Sequence, residues 1–184
     1  MLRSPAFGNT LTVSCKLKKW SAKMNFRNNG AIGALLDEYE KSLNELIGTI
    51  SAISEKELVE IVDFETDDED CKSIQNILTH VVQSGYTYIV EIRKWLGENI
   101  EYRNKIKHQT VEEYKKALKE MFVFSEQLFF DYPNLELCEN DPKKKIKVRW
   151  GQSYDVEQLF EHAIVHVLRH RRQIEKFKEK KASS

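Results

Sequence analysis

The stretch 155–178, DVEQLFEHAIVHVLRHRRQIEKFK, combines a helical pattern with three of the five histidines in the 184-residue chain. At 3.6 residues per turn its apolar side chains fall on one face: Val156, Leu159, Phe160, Ala163, Val167 and Ile174. On the same helical wheel His170 lies within this face and His166 at its edge, while His162 lies about 40° further toward solvent. The stretch is therefore predicted to form a helix, from near Asp155 to about Lys178, that turns two histidines inward.

Three segments upstream show the same apolar stripe at helical spacing. The predicted helices cover 32–50, about 71–96, and 110 to Pro133. Asp67–Asp70 lie where the second helix begins, and their negative charge suits the positive end of a helix dipole. Thr110 and Glu113 form a capping-box pattern at the start of the third helix, and Pro133 ends it.

Four amphipathic helices without αβ alternation indicate an all-α four-helix bundle. The stretch 134–154 is predicted to be a loop, in which the alternating pattern at 146–150 favours a short strand. About a dozen residues connect the second and third helices, which is enough chain to reach along a whole helix. Connection lengths alone therefore leave the order of helix directions open.

The charges of the chain balance, with 29 basic and 29 acidic residues, so net charge favours neither nucleic acid nor an acidic membrane as a partner. The charge runs Lys143–Arg149 and Asp67–Asp70 are predicted to be solvated loops, with an anion-binding patch as the alternative for the basic run. No apolar stretch reaches the roughly 20 residues of a membrane span. Cys15, Cys71 and Cys138 are far apart in the sequence and are predicted to be free thiols. These features predict a soluble, cytoplasmic protein.

Residues 1–23 differ from the rest because they hold five basic residues, no acidic residue and no sustained periodicity. They are predicted to be a disordered or non-native leader, with a targeting or binding arm as the alternative. Residues 24–184 are predicted to form a single domain, since a chain of this length is long enough for one core and short for two.

His166 and His170 are four residues apart and adjacent on a helix, where two imidazoles can bind one divalent ion if another element supplies a third ligand. His80, at the margin of the second helix's apolar stripe, is the best-placed third ligand. His162 lies about 12 Å from His170 along the helix axis, so it is assigned to the surroundings of the site. His108 is assigned to a surface loop. The competing interpretation is that the inward histidines are amphipathic core residues.

With this histidine pattern, the chain resembles the DinB-like (DinB/YfiT) superfamily of metal-dependent four-helix-bundle proteins. The likeness spans about 32–178 and rests on His80 early in the second helix and on His166-Val-Leu-Arg-His170-Arg-Arg-Gln173 in the fourth. It implies up-down-down-up topology, a homodimer, and one divalent ion (nickel, zinc, manganese or iron) bound by His80, His166 and His170. Arg172 departs from the glycine common in the family, and we expect it either to crowd the pocket mouth or to contact an anionic substrate.

Three imidazoles leave an ion open positions for water or substrate, which is the arrangement of catalytic sites. The resemblance then implies a metal-dependent hydrolase or a thiol-dependent transferase acting on a small molecule or thiol. No catalytic residue is assigned beyond the ligands, and no carboxylate is predicted to be a general base. Four aromatic side chains of the third helix are predicted to belong to the core: Phe122, Phe124, Phe129 and Phe130. The alternative is a non-enzymatic dimeric binding or stress-response module, in which these aromatics face a partner instead.

Overall fold

The computed structural model describes residues 26–182, and helices dominate them. The helices are α1 (Gly30–Ile50), α2 (Glu55–Val59), α3 (Ile74–Trp95), α4 (Val111–Asp131) and α5 (Val156–Ala182). Two short strands, β1 (Ile146–Lys147) and β2 (Ser153–Tyr154), form an antiparallel pair between α4 and α5. The predicted all-α class is confirmed, while the predicted leader at 1–23 lies outside the described residues.

Side-chain caps determine where the helices begin. Thr110 and Glu113 form the predicted capping box at the start of α4. Ser73 caps α3, and the preceding Glu69–Cys71 form a 3₁₀ turn. The helix therefore begins at Ile74, later than the sequence pattern predicted. The short helix α2, which follows α1 directly, has no counterpart among the predicted helices.

One apolar core lies between the four long helices. α1 packs against α4 and α5, and α3 packs against the same two helices. The buried ring of Tyr39 lies edge-on to Phe122 at 5.8 Å and to Phe160 at 6.3 Å, and Phe129 packs 5.1 Å from Phe160. Phe130 is 71% exposed, so its assignment to the core is wrong. Consecutive residues on a helix point about 100° apart, and this rotation carries Phe130 out of the face of α4 that buries Phe129.

Glu91 of α3 holds two connecting segments against the helices. Its buried carboxylate accepts hydrogen bonds from the Tyr102 hydroxyl and from the backbone N–H of Arg149, both at 3.0 Å. The guanidinium of Arg149 also lies over the Tyr102 ring, 4.5 Å from its centroid. These contacts bring Trp150 against α3, where its ring lies 5.8 Å from that of Tyr88.

Cys71 and Cys138 carry free thiols, as predicted, and Cys15 lies outside the described residues. The Cys71 thiol donates to the Asp68 carboxylate at 3.4 Å, beside the start of α3. In the part of the chain that the structure describes, no helix has both the length and the apolar character that crossing a membrane requires.

Candidate metal centre

The three histidines predicted as ligands lie together where α3 packs against α5. His166 Nε2 lies 2.9 Å from His80 Nε2 and 3.2 Å from His170 Nε2. His166 is 9% exposed and His170 1%, while His80 is partly open to solvent. Because His166 and His170 are one helical turn apart on α5, they face α3 as a pair and meet the single histidine there. One ligand atom from each residue lies within 4.8 Å of the other two, so the group could hold one metal ion.

Oxygen acceptors fix the tautomer of two of the rings. His80 Nδ1 lies 3.1 Å from Asp70 Oδ2, and His170 Nδ1 lies 3.1 Å from Gln173 Oε1. A carboxylate and an amide oxygen accept hydrogen bonds, so both Nδ1 atoms donate, and each neutral ring keeps a lone pair on Nε2. Both lone pairs face His166 Nε2, which can donate one proton at most, and Arg169 Nη2 lies 3.4 Å from His170 Nε2, at the long end of hydrogen-bond distance. A cation satisfies all three nitrogens together, and this donor set therefore fits a divalent metal.

Burial keeps the imidazoles neutral. It lowers the pKa of His166 to about 2 and that of His170 to about 4, and the neighbouring imidazoles act in the same direction. The pKa of His80 is lowered as well, because desolvation outweighs the attraction of the Asp70 carboxylate. Neutral imidazole is the form that binds a metal ion.

The metal-free chain is expected to lose stability as the pH falls below about 6.5. Unfolded histidines bind protons near this pH, whereas His166 and His170 resist protonation in the folded chain, so the unfolded state binds more protons. Below about pH 6.5, each histidine that stays neutral in the folded chain lowers the free energy of unfolding by about 1.4 kcal/mol for every pH unit. Urea unfolding from neutral pH to about pH 5 tests this, and His166→Asn should lose less stability than wild type. If the free energy of unfolding fell equally with pH in wild type and His166→Asn, His166 would not be buried in its neutral form.

Asp70 belongs to the site, although the sequence pattern placed it in a solvated acidic run. Besides its contact with His80, its carboxylate pairs with the ammonium of Lys105 from the connection between α3 and α4. The prediction of a solvated loop is therefore wrong for this residue. Asp70 precedes His80 by ten residues, in the turn that leads into α3, and this position could have suggested the contact. A carboxylate on the far nitrogen orients a ligating imidazole and makes it more basic.

Replacing Asp70 by asparagine is expected to weaken metal binding by about 10- to 100-fold, because the amide can still accept from Nδ1 but carries no negative charge. Competition with a chromophoric chelator measures the affinity. Asp67→Asn is the matched control, since Asp67 is an exposed carboxylate of the same acidic run, and it should bind metal like wild type. Equal affinities for Asp70→Asn and wild type would remove Asp70 from the site.

A cavity of about 430 Å³ opens beside His80 and His166. Its walls include two aromatic rings, two hydroxyl side chains and one cation: Tyr88, Trp150, Ser84, Thr87 and Arg169. His162 lines the same cavity, with its ring stacked 6.3 Å from Trp150 and 6.3 Å from His166. It lies beside the three-nitrogen group without being part of it, as its place on the helical wheel predicted. Substrate-sized space therefore adjoins the candidate ligands.

Two sequence predictions near the site need correction. Arg172 does not line this cavity but a separate hollow on the other side of His170, so it cannot crowd the cavity mouth. Arg169, one helical turn earlier, takes the position at the cavity and was not predicted. His108 is half-buried and packs edge-on against Tyr114 at 5.1 Å, so its assignment to the surface is wrong.

No model of a known protein family matches the chain, and no curated protein matches it. The chemistry of the site is therefore argued from its geometry.

Proposed function

We propose that His80, His166 and His170 bind one divalent metal ion, and that the chain is a DinB-like metal-dependent enzyme, a hydrolase or a thiol-dependent transferase. The observation that carries the proposal is the convergence of three imidazole Nε2 atoms beside an open cavity. Imidazole ligands suit zinc, nickel and iron, while manganese is included because the resemblance to that superfamily implies it. The protein is further proposed to be a homodimer, as the resemblance to that superfamily implies.

The proposed fold is a four-helix bundle with up-down-down-up topology, formed by α1, α3, α4 and α5. Residues near the starts of α3 and α4 contact each other, and so do residues near their ends, which supports a parallel arrangement of the two helices. The pairs are Thr79 with Tyr114, and Arg93 with Asp131. Contacts between α1 and α5 also support a parallel arrangement: Glu45 with Arg171, and Thr49 with Lys178. α3 and α5 are antiparallel, because residue numbers rise along α3 where they fall along α5: His80 contacts His170, and Tyr88 contacts His162.

When bound, the ion would act as a Lewis acid that lowers the pKa of water for hydrolysis or of a thiol for transfer. The protein contributes orientation and a partly dry site. Burial raises the pKa of Tyr88 to about 12, so its hydroxyl stays protonated and able to donate a hydrogen bond at the cavity wall. The rings of Tyr88 and Trp150 offer apolar surface for the body of a substrate.

Activity assays with the nickel, zinc, manganese and iron forms test the proposed class. Esters and amides form one panel, and low-molecular-weight thiols with electrophiles form the other. We expect turnover in one panel, its loss in His166→Ala, and its retention in Lys119→Gln, which changes an exposed residue of α4 away from the cavity. If the chain bound stoichiometric metal but turned over no substrate of either panel, the proposed enzymatic activity would be wrong and the non-enzymatic binding module would be favoured.

A further inference from the structure

Three cations lie on one face of α5 without carboxylate partners. Arg169, Arg172 and Lys176 follow at helical spacing, and all three are exposed. Among residues 26–182 none of them forms an ion pair, whereas their neighbour Arg171 pairs with both Glu45 and Glu175. The three side chains, called the cationic face below, therefore keep their positive charge unneutralised.

The cationic face lines a hollow of about 570 Å³ next to the candidate metal ligands. His170 and Gln173 form part of the same hollow, and Asp68 is its one carboxylate. Asp68 already accepts from the backbone N–H of Asp70 at 3.0 Å and from the Cys71 thiol at 3.4 Å. Three cations against one engaged carboxylate leave the hollow positively charged, and a concave positive surface attracts anions.

Arg169 connects this hollow to the aromatic cavity, because it lines both. Its Nη2 atom lies 3.4 Å from His170 Nε2. If that nitrogen binds a metal ion, its lone pair is no longer available to the guanidinium, and two positive charges become close neighbours. An anion bound between the guanidinium and the ligand cluster would relieve this repulsion and gain from both charges.

We propose that Arg169, Arg172 and Lys176 bind an anionic group of the substrate, a phosphate or a carboxylate, in the hollow beside His170. Guanidinium groups match both anions through paired hydrogen bonds. The identification of this anion as a substrate rests on the proposed function. Binding of the anion itself needs only the cationic face.

Calorimetric titration of the full chain with phenylphosphonate, benzoate and neutral benzyl alcohol tests the proposal. We expect saturable binding of one phosphonate or benzoate per chain, weakened by salt, and no binding of the alcohol. The stronger of the two anions identifies the preferred group. Arg169→Gln and the double change Arg172→Gln with Lys176→Gln should each weaken binding by about 10- to 100-fold. Lys119→Gln, which removes an exposed cation from α4, should leave it unchanged.

The titration is run on both the metal-free and the metal-loaded chain, so that the two proposals fail separately. Anion binding that depends on Arg169 in a chain that takes up no metal would support the anion site and overturn the metal proposal. Metal uptake without saturable anion binding would overturn the anion site alone. Equal binding by Arg169→Gln and wild type, or equal binding of benzyl alcohol and benzoate, would also overturn it. Melting temperatures of the variants confirm that these surface changes leave the chain folded.

Discussion

The His166→Ala chain is expected to lose tight metal binding, with an affinity more than about 100-fold below that of wild type. His166 lies between the other two histidines, with its Nε2 at 2.9 Å from one and 3.2 Å from the other. Removing it leaves His80 and His170 without the nitrogen that both approach. Competition against a chromophoric chelator, with nickel and with zinc, measures the difference.

His162→Ala is the control for this experiment. His162 is on the same helix and lines the same cavity, but its imidazole is not part of the three-nitrogen group. The His162→Ala chain should keep the wild-type affinity. If both variants bound metal as tightly as wild type, the three histidines would be a buried polar cluster and not a metal site.

Replacing Phe160 by alanine is expected to lower the free energy of unfolding by about 3–5 kcal/mol. Phe160 is 1% exposed and packs against Tyr39 of α1 and Phe129 of α4. Truncation would therefore remove apolar contacts with two neighbouring helices and leave a cavity between them. Urea unfolding of the metal-free chain measures this change without a contribution from bound metal.

Phe130→Ala is the matched comparison, since it makes the same truncation at a ring that is 71% exposed. Phe130→Ala is expected to change the free energy of unfolding by no more than about 0.5 kcal/mol, as other surface substitutions do. Similar losses for Phe160→Ala and Phe130→Ala would contradict the packing described for α5.

Helical periodicity was sufficient to predict the long helices, because each buries one broad apolar face. It could not place the start of α3, where the Ser73 side chain and a short 3₁₀ turn decide the boundary. It also missed α2, whose five residues are too few for a periodic stripe. Ser54 and Glu57 do form a capping box there, so a local pattern was the available signal.

The candidate site was predictable where its residues share a helix and much less so across helices. Spacing alone placed His166 beside His170, and it set His162 apart. The neighbours supplied by tertiary packing were not predictable in this way. The contact of Asp70 with His80 depends on how the turn before α3 folds back, and the place of Arg169 between two cavities depends on the angle at which α5 meets α3.

The most direct test of the three-histidine site is the divalent metal content of the untagged chain, purified without chelator. Wild type is compared with the double variant His80→Ala/His166→Ala. We expect one ion per wild-type chain, none in the double variant, and a melting temperature that rises with added metal in wild type alone. Wild-type protein without stoichiometric metal, together with a double variant of unchanged metal affinity and melting temperature, would contradict the proposed site.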